Sequence, residues 1–159
     1  MSNNVKILIA ISILLVGFVC AIMFYPKQAV SYEGRYFVLR RNVLSIHDDD
    51  DDLIWESEEG FKVSNFMIAD VDNDGVDELI ISVWKEGYYG VDLPFWEEDN
   101  IQDLGNHIFV YNLIPDPEMQ WGSSTIGYTI KSLDFQDGNM VINGDEYWQW
   151  GDFHFERVK

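Results

Sequence analysis

The chain has 159 residues, with 10 basic and 28 acidic side chains and a net charge of −18. That length allows one ordinary domain, or a small domain with an appendage. A field so negative repels a nucleic-acid backbone, which needs a basic face, and makes cations the natural partners. With 47% hydrophobic and 15% aromatic residues the acidic part is too apolar to stay disordered, so it is expected to fold. The single cysteine, Cys20, excludes an intramolecular disulfide framework and a cysteine-based zinc site.

Charge divides the chain unevenly. No Asp or Glu precedes Glu33, and Ile7 to Phe24 is an uninterrupted run of apolar or small residues. At about 1.5 Å per residue such a run reaches roughly 27 Å, close to the hydrocarbon thickness of a bilayer. Lys6 precedes it, and Tyr25, Pro26 and Lys27 close it with an interfacial ring, a helix stop and a charge. The pattern predicts a short tail over 1–6 and an uncleaved transmembrane signal-anchor helix over 7–25, a run longer than the apolar core of a cleavable signal peptide. A stalk over 26–34 and a folded body over 35–159 follow. The expected localisation is a single-pass membrane protein with its body outside the cytoplasm, and the membrane is then a partner through the helix.

The body reads as short strands. Tyr36–Leu39 and Val43–Ile46 flank a tight turn at Arg41-Asn42, and Leu53–Trp55 follows five consecutive aspartates, Asp48 to Asp52. Residues 62–69 and 78–84 bracket an acidic loop. Gly87 to Asn106, rich in Gly, Asp, Glu and aromatics, reads as an extended surface loop before a strand at His107–Tyr111. Met140–Ile142 and Asp145–Trp148 flank Asn143-Gly144, a hairpin signal. No stretch keeps a helical period over three turns, so the body is expected to be all-β. An internal repeat supports this. Val43–Ile46, an acidic turn and Leu53–Ser57 are echoed by Phe109–Asn112, a proline-containing turn and Met119–Ser123, with Trp55 and Trp121 in equivalent places. A weaker echo of Asp70–Gly75 is found at Asp134–Gly138.

The loop between the two central strands carries the strongest chemistry. In Asp70-Val71-Asp72-Asn73-Asp74-Gly75-Val76-Asp77-Glu78, acids at positions 1, 3 and 5 converge when the chain curls, and Gly75 gives the backbone freedom for that curl. Val76 at position 7 offers its carbonyl and Glu78 at position 9 closes the shell. Hard oxygen donors in this number and flexibility suit Ca²⁺ better than Mg²⁺ or zinc. An EF-hand is excluded, because position 12 is Ile81 and the flanks read as strands. The aspartates at 48–52 read as a solvated turn whose charges protect a sheet edge.

The pattern over residues 61–84, an apolar strand, Asp-x-Asp-x-Asp-Gly-x-Asp-Glu and a second apolar strand, resembles the calcium loop of FG-GAP/VCBS repeats, the blade unit of integrin-type β-propellers. The resemblance implies Ca²⁺ held by Asp70, Asp72, Asp74, Glu78 and the Val76 carbonyl as a structural pin between strands, and recognition or scaffolding in place of catalysis. It implies an antiparallel β domain of about two propeller-blade-like repeats, since the body has no room for a closed ring.

No catalytic constellation stands out. His47, His107 and His154 are separate, there is no His-Glu-x-x-His, and no Gly-x-Ser-x-Gly elbow occurs. The expected protein is a non-catalytic, calcium-binding module with a protein or glycan ligand. The aromatic content (Trp84, Trp96, Trp121, Trp148, Trp150, Tyr88 and Tyr89) leaves a cell-surface carbohydrate-binding or glycan-active protein as the alternative.

Overall fold

A computed structural model describes residues 25–89, 103–152 and 154–158, together with Ile11, Ser12, Leu14 and Leu15. Twelve strands are described: β1 (Gln28–Tyr32), β2 (Arg35–Arg40), β3 (Val43–His47), β4 (Leu53–Glu56), β5 (Lys62–Ala69), β6 (Glu78–Lys85), β7 (Gly105–Asn112), β8 (Glu118–Gly122), β9 (Leu133–Gln136), β10 (Asn139–Ile142), β11 (Glu146–Trp150) and β12 (Phe155–Arg157). They form three four-stranded antiparallel meanders, β1-β2-β3-β4, β5-β6-β7-β8 and β9-β10-β11-β12.

The middle sheet is covered on both faces. Leu79, Ile81 and Val83 of β6 and Phe109 and Tyr111 of β7 pack with Phe37, Leu39, Leu44 and Ile46 of the first sheet. Ile80, Ile108 and Val110, on the alternate face, pack with Met140, Ile142 and Phe155 of the third. Side chains alternate across a strand, so a strand buried on both faces must be apolar at successive positions. That is why Leu79-Ile80-Ile81 and Ile108-Phe109-Val110 are continuous apolar runs. Tight hairpins join the meanders' strands: Glu33-Gly34, Arg41-Asn42 and Asp137-Gly138 each place both central residues at positive φ, the geometry that matches the twist of the flanking strands.

Several expectations are corrected. The sheets number three, where about two blade-like repeats were expected, and residues 28–32, expected within a stalk, form β1. The sequence echo nevertheless aligned equivalent parts: Trp55 lies in β4 and Trp121 in β8, the last strands of successive sheets. The transmembrane signal-anchor helix over 7–25 is corrected as well, since among the described residues no helix is long and apolar enough to cross a membrane. Within that segment Ile11, Ser12, Leu14 and Leu15 are helical and exposed; apart from Tyr25, the remainder lies outside the described residues. Apolar length measures the cost of leaving apolar surface in water, and it does not by itself specify what covers that surface. The single-pass localisation, with its extracytoplasmic placement, falls with the anchor. Of the extended loop expected over 87–106, residues 90–102 lie outside the described residues, Trp96 among them, and Gly105 and Asn106 already belong to β7.

Candidate functional site

The acidic loop joins β5 to β6 in the middle sheet, where the two eight-residue strands are fixed by their antiparallel ladder and by packing on each side. Ala69 pairs with Glu78, so the loop leaves and re-enters the sheet at neighbouring points. Asn73 at φ 61° and Gly75 at φ 92° reverse the chain between them. The space around Gly75 is open on its Cβ side, so its requirement is one of backbone conformation alone.

Internal hydrogen bonds hold the curl. Asp70 accepts from the amides of Asp74 and Gly75, both at 3.0 Å, one on each carboxylate oxygen. Asp72 accepts from Asp74 N at 3.2 Å, and Asp74 from Val76 N at 2.8 Å. Glu78, the first residue of β6, turns inward and accepts from Val71 N at 3.0 Å. Its side chain is buried, at 1% exposure, while Val71 beside it belongs to the core between the second and third sheets.

Burial places Glu78 under stress. Desolvation pushes its carboxyl up to about 7, and the charges of Asp72, Asp74 and Asp70 act in the same direction, whereas the Val71 amide opposes them. One carboxylate oxygen from each of Asp70, Asp72 and Glu78 lies within 4.8 Å of the others. Oxygens coordinating one Ca²⁺ at 2.3–2.6 Å stand at most about 4.6–5.2 Å apart across the ion. The donor set therefore fits a hard divalent cation in both spacing and chemistry, and such an ion would offset the repulsion that raises Glu78.

Three of the five expected ligands thus come together: Asp70, Asp72 and Glu78. Asp74 does not join them; it is exposed and occupied with the Val76 amide. The Val76 side chain is also exposed. Sequence reading missed Tyr32, at the end of β1, whose hydroxyl is pushed up to about 12 by burial and by a hydrogen bond to Asp77. Nothing in the local sequence announces a contact between residues so far apart. Of the three histidines, His107 is fully buried and structural, with Nδ1 2.9 Å from the Ser123 carbonyl and Nε2 3.1 Å from that of Gly87.

The second feature is a cavity of about 410 Å³ between the middle and third sheets, lined among others by Trp121, Tyr128, Trp148 and Arg157. At its edge the Tyr128 hydroxyl donates to Glu146 at 2.6 Å. Trp121, Trp150 and Phe155 meet edge-to-face, which commits much of this aromatic cluster to packing.

Comparison of the chain with protein-family models, curated proteins and solved structures finds no match. The likeness to the FG-GAP/VCBS calcium loop therefore rests on the residues of 61–84 themselves.

Proposed function

We propose that this protein is a calcium-binding β module in which one ion, held by Asp70, Asp72 and Glu78, pins the β5–β6 connection, and that the module serves recognition or scaffolding without catalysis. The observation that carries the reading is Glu78: a carboxylate buried at 1% exposure, facing two more carboxylates across a curl built from their own backbone hydrogen bonds. Without a cation, burial and the neighbouring carboxylates favour a proton on Glu78; with one, all three carboxylates would be satisfied as anions. The resemblance to FG-GAP/VCBS loops supports the same assignment and the non-catalytic role.

Thermal unfolding of the full-length chain in EDTA, followed by titration of Ca²⁺ or Mg²⁺, tests this. A native-state ligand raises the midpoint by mass action. The expected result is a midpoint that climbs with calcium and responds weakly to magnesium. A midpoint indifferent to calcium would reduce the loop to a turn.

Carbohydrate binding is the second reading, favoured by the aromatic-lined cavity between the middle and third sheets. A glycan array without hits, or hits untouched by Trp148→Ala, would remove it.

A further inference from the structure

Two cavities share Tyr128 as a wall, and their linings differ in kind. The cavity of about 410 Å³ between the middle and third sheets is walled by Ile108, Trp121, Ile126, Met140, Trp148 and Phe155. Met140 and Trp148 pair across β10 and β11 and pack with Ile108 and Phe155 in the core between those sheets. The other cavity, of about 620 Å³, is lined by Thr129, Lys131, Ser132, Asn143, Asp145 and Glu146. Glu146 and Trp148 are alternate residues of β11, so they share one side of the strand and the polar lining adjoins the apolar one. Both volumes fall within the roughly 300–1,000 Å³ of small-ligand sites.

The apolar cavity has few hydrogen bonds to offer. Ser123 Oγ accepts from the Ile108 amide at 2.9 Å, Thr125 Oγ1 donates to the Tyr88 carbonyl at 3.1 Å, and Trp148 Nε1 is buried. Exposed Ser124 and Arg157 complete its polar lining. A sugar drawn wholly into it would lose water from most of its hydroxyls without replacement, whereas an apolar ring has no such loss. The polar cavity is the reverse. Asn143 fixes its wall, with Nδ2 donating to the Thr129 carbonyl at 3.0 Å and Oδ1 accepting from the Lys131 amide at 2.7 Å. Thr129 and Ser132 stand there with Lys131 and Asp145, all four exposed. Across the two linings Lys131 and Arg157 match Asp145 and Glu146 in number, which favours an uncharged ligand.

We propose that, on the carbohydrate reading, the ligand is an uncharged glycoside of an apolar alcohol: the apolar group fills the aromatic cavity, and the sugar lies across Tyr128 against the 129–132 wall. The ion at the acidic loop plays no part. Burial of the apolar group supplies most of the affinity, and contacts to the sugar hydroxyls decide which sugar is accepted.

Isothermal titration of the full-length chain with naphthyl and methyl glycosides of glucose, galactose and N-acetylglucosamine, and with naphthol itself, provides the test. At least one naphthyl glycoside is expected to bind about tenfold tighter than both its methyl counterpart and naphthol. Ile126→Trp, which fills the aromatic cavity, is expected to remove the advantage over the methyl glycoside. Lys131→Ala with Asp145→Ala, at two exposed positions, is expected to remove the advantage over naphthol. Methyl and naphthyl glycosides that bind alike overturn the proposal and leave the carbohydrate reading standing. Naphthol that binds as tightly as its glycosides overturns it too, because the sugar then contributes nothing. Absence of binding by every probe also overturns it, while the carbohydrate reading itself falls only with an empty glycan array. Should Ile126→Trp fail to fold, Ser124→Trp at an exposed position of the same lining carries the test. A preference for the naphthyl glycoside unchanged in the folded variant rejects the aromatic cavity as its seat.

Discussion

Two acidic turns stand at the same end of the stack and behave differently. The β3–β4 turn has five aspartates in a row; the β5–β6 loop has four and a glutamate, spaced by other residues. Both use an aspartate to cap their own backbone: Asp48 accepts from the amides of Asp50 and Asp52 at 3.0 and 2.9 Å, much as Asp70 accepts from Asp74 and Gly75. Both place a non-glycine residue at positive φ, Asp51 at 67° and Asn73 at 61°. The difference lies in what the strand supplies. Glu78 enters the loop from a buried position in β6, while the aspartates at 49–52 face water and, among the described residues, the 48–52 turn forms no carboxylate cluster. On the proposed reading, charge density is not what makes a cation site; a desolvated carboxylate that cannot turn away from its neighbours is.

The largest effects should separate the two turns by calcium response. At a calcium concentration one hundred times Kd, linkage stabilises by about 2.7 kcal/mol, enough to raise Tm by roughly 5–10 °C in a chain of this size. Asp72→Ala is expected to abolish that rise, whereas Asp49→Asn with Asp50→Asn leaves it intact. Equal responses in the two variants would erase the distinction.

The pH dependence sharpens the same contrast. Without ion, Glu78 holds its proton to about 7 in the folded state against an ordinary 4.5. Its contribution is therefore fully present below pH 4.5 and is lost as the pH rises through about 7, on the order of 3 kcal/mol in total. Denaturant unfolding in EDTA across that window should show the loss. Glu78→Gln should flatten it, and calcium should stabilise more strongly as the pH rises, because the ion needs the deprotonated ligand.

Backbone substitutions give a smaller contrast. Gly75→Ala is expected to cost about 1–2 kcal/mol, since Cβ strains φ 92° although nothing crowds it. Asp51→Gly should be neutral or stabilising by up to about 1 kcal/mol, because glycine adopts that φ without strain. The smallest effect concerns Tyr32→Phe, which removes the hydrogen bond to Asp77 and should cost about 1 kcal/mol by thermal unfolding.

The strands buried on both faces were legible because their apolar runs are continuous, and the ends of β6 and β7 lie within two residues of expectation. β1 was not. Its sequence, Gln-Ala-Val-Ser-Tyr, begins two residues after a proline and has only one β-branched aliphatic side chain. It is fixed by distant partners: its ladder with β2, Lys27 donating to the Ser64 carbonyl, and the Gln28 amide donating to the Phe66 carbonyl at 2.8 Å. Arg35 similarly reaches the carbonyls of Leu113 and Pro115. Such contacts leave no local signature. At the candidate site, the spacing of Asp70, Asp72 and Glu78 was enough to bring them together, since alternate residues of a curled loop share a side. The outward position of Asp74 was not legible, because it is decided by a hydrogen bond to Val76 N that forms only once the curl exists. The apolar stretch at 7–24 had the strongest pattern in the sequence and gave an expectation the described residues do not support.

The central claim is that a buried glutamate makes the β5–β6 loop a calcium site and that the aspartate run alone does not. Isothermal titration of Ca²⁺ into the full-length chain tests it most directly, with wild type, Glu78→Gln and the Asp49→Asn, Asp50→Asn variant compared side by side. The account predicts saturable binding in wild type, kept in the aspartate-run variant and lost in Glu78→Gln. Binding that survives Glu78→Gln but disappears with the aspartate run would contradict it.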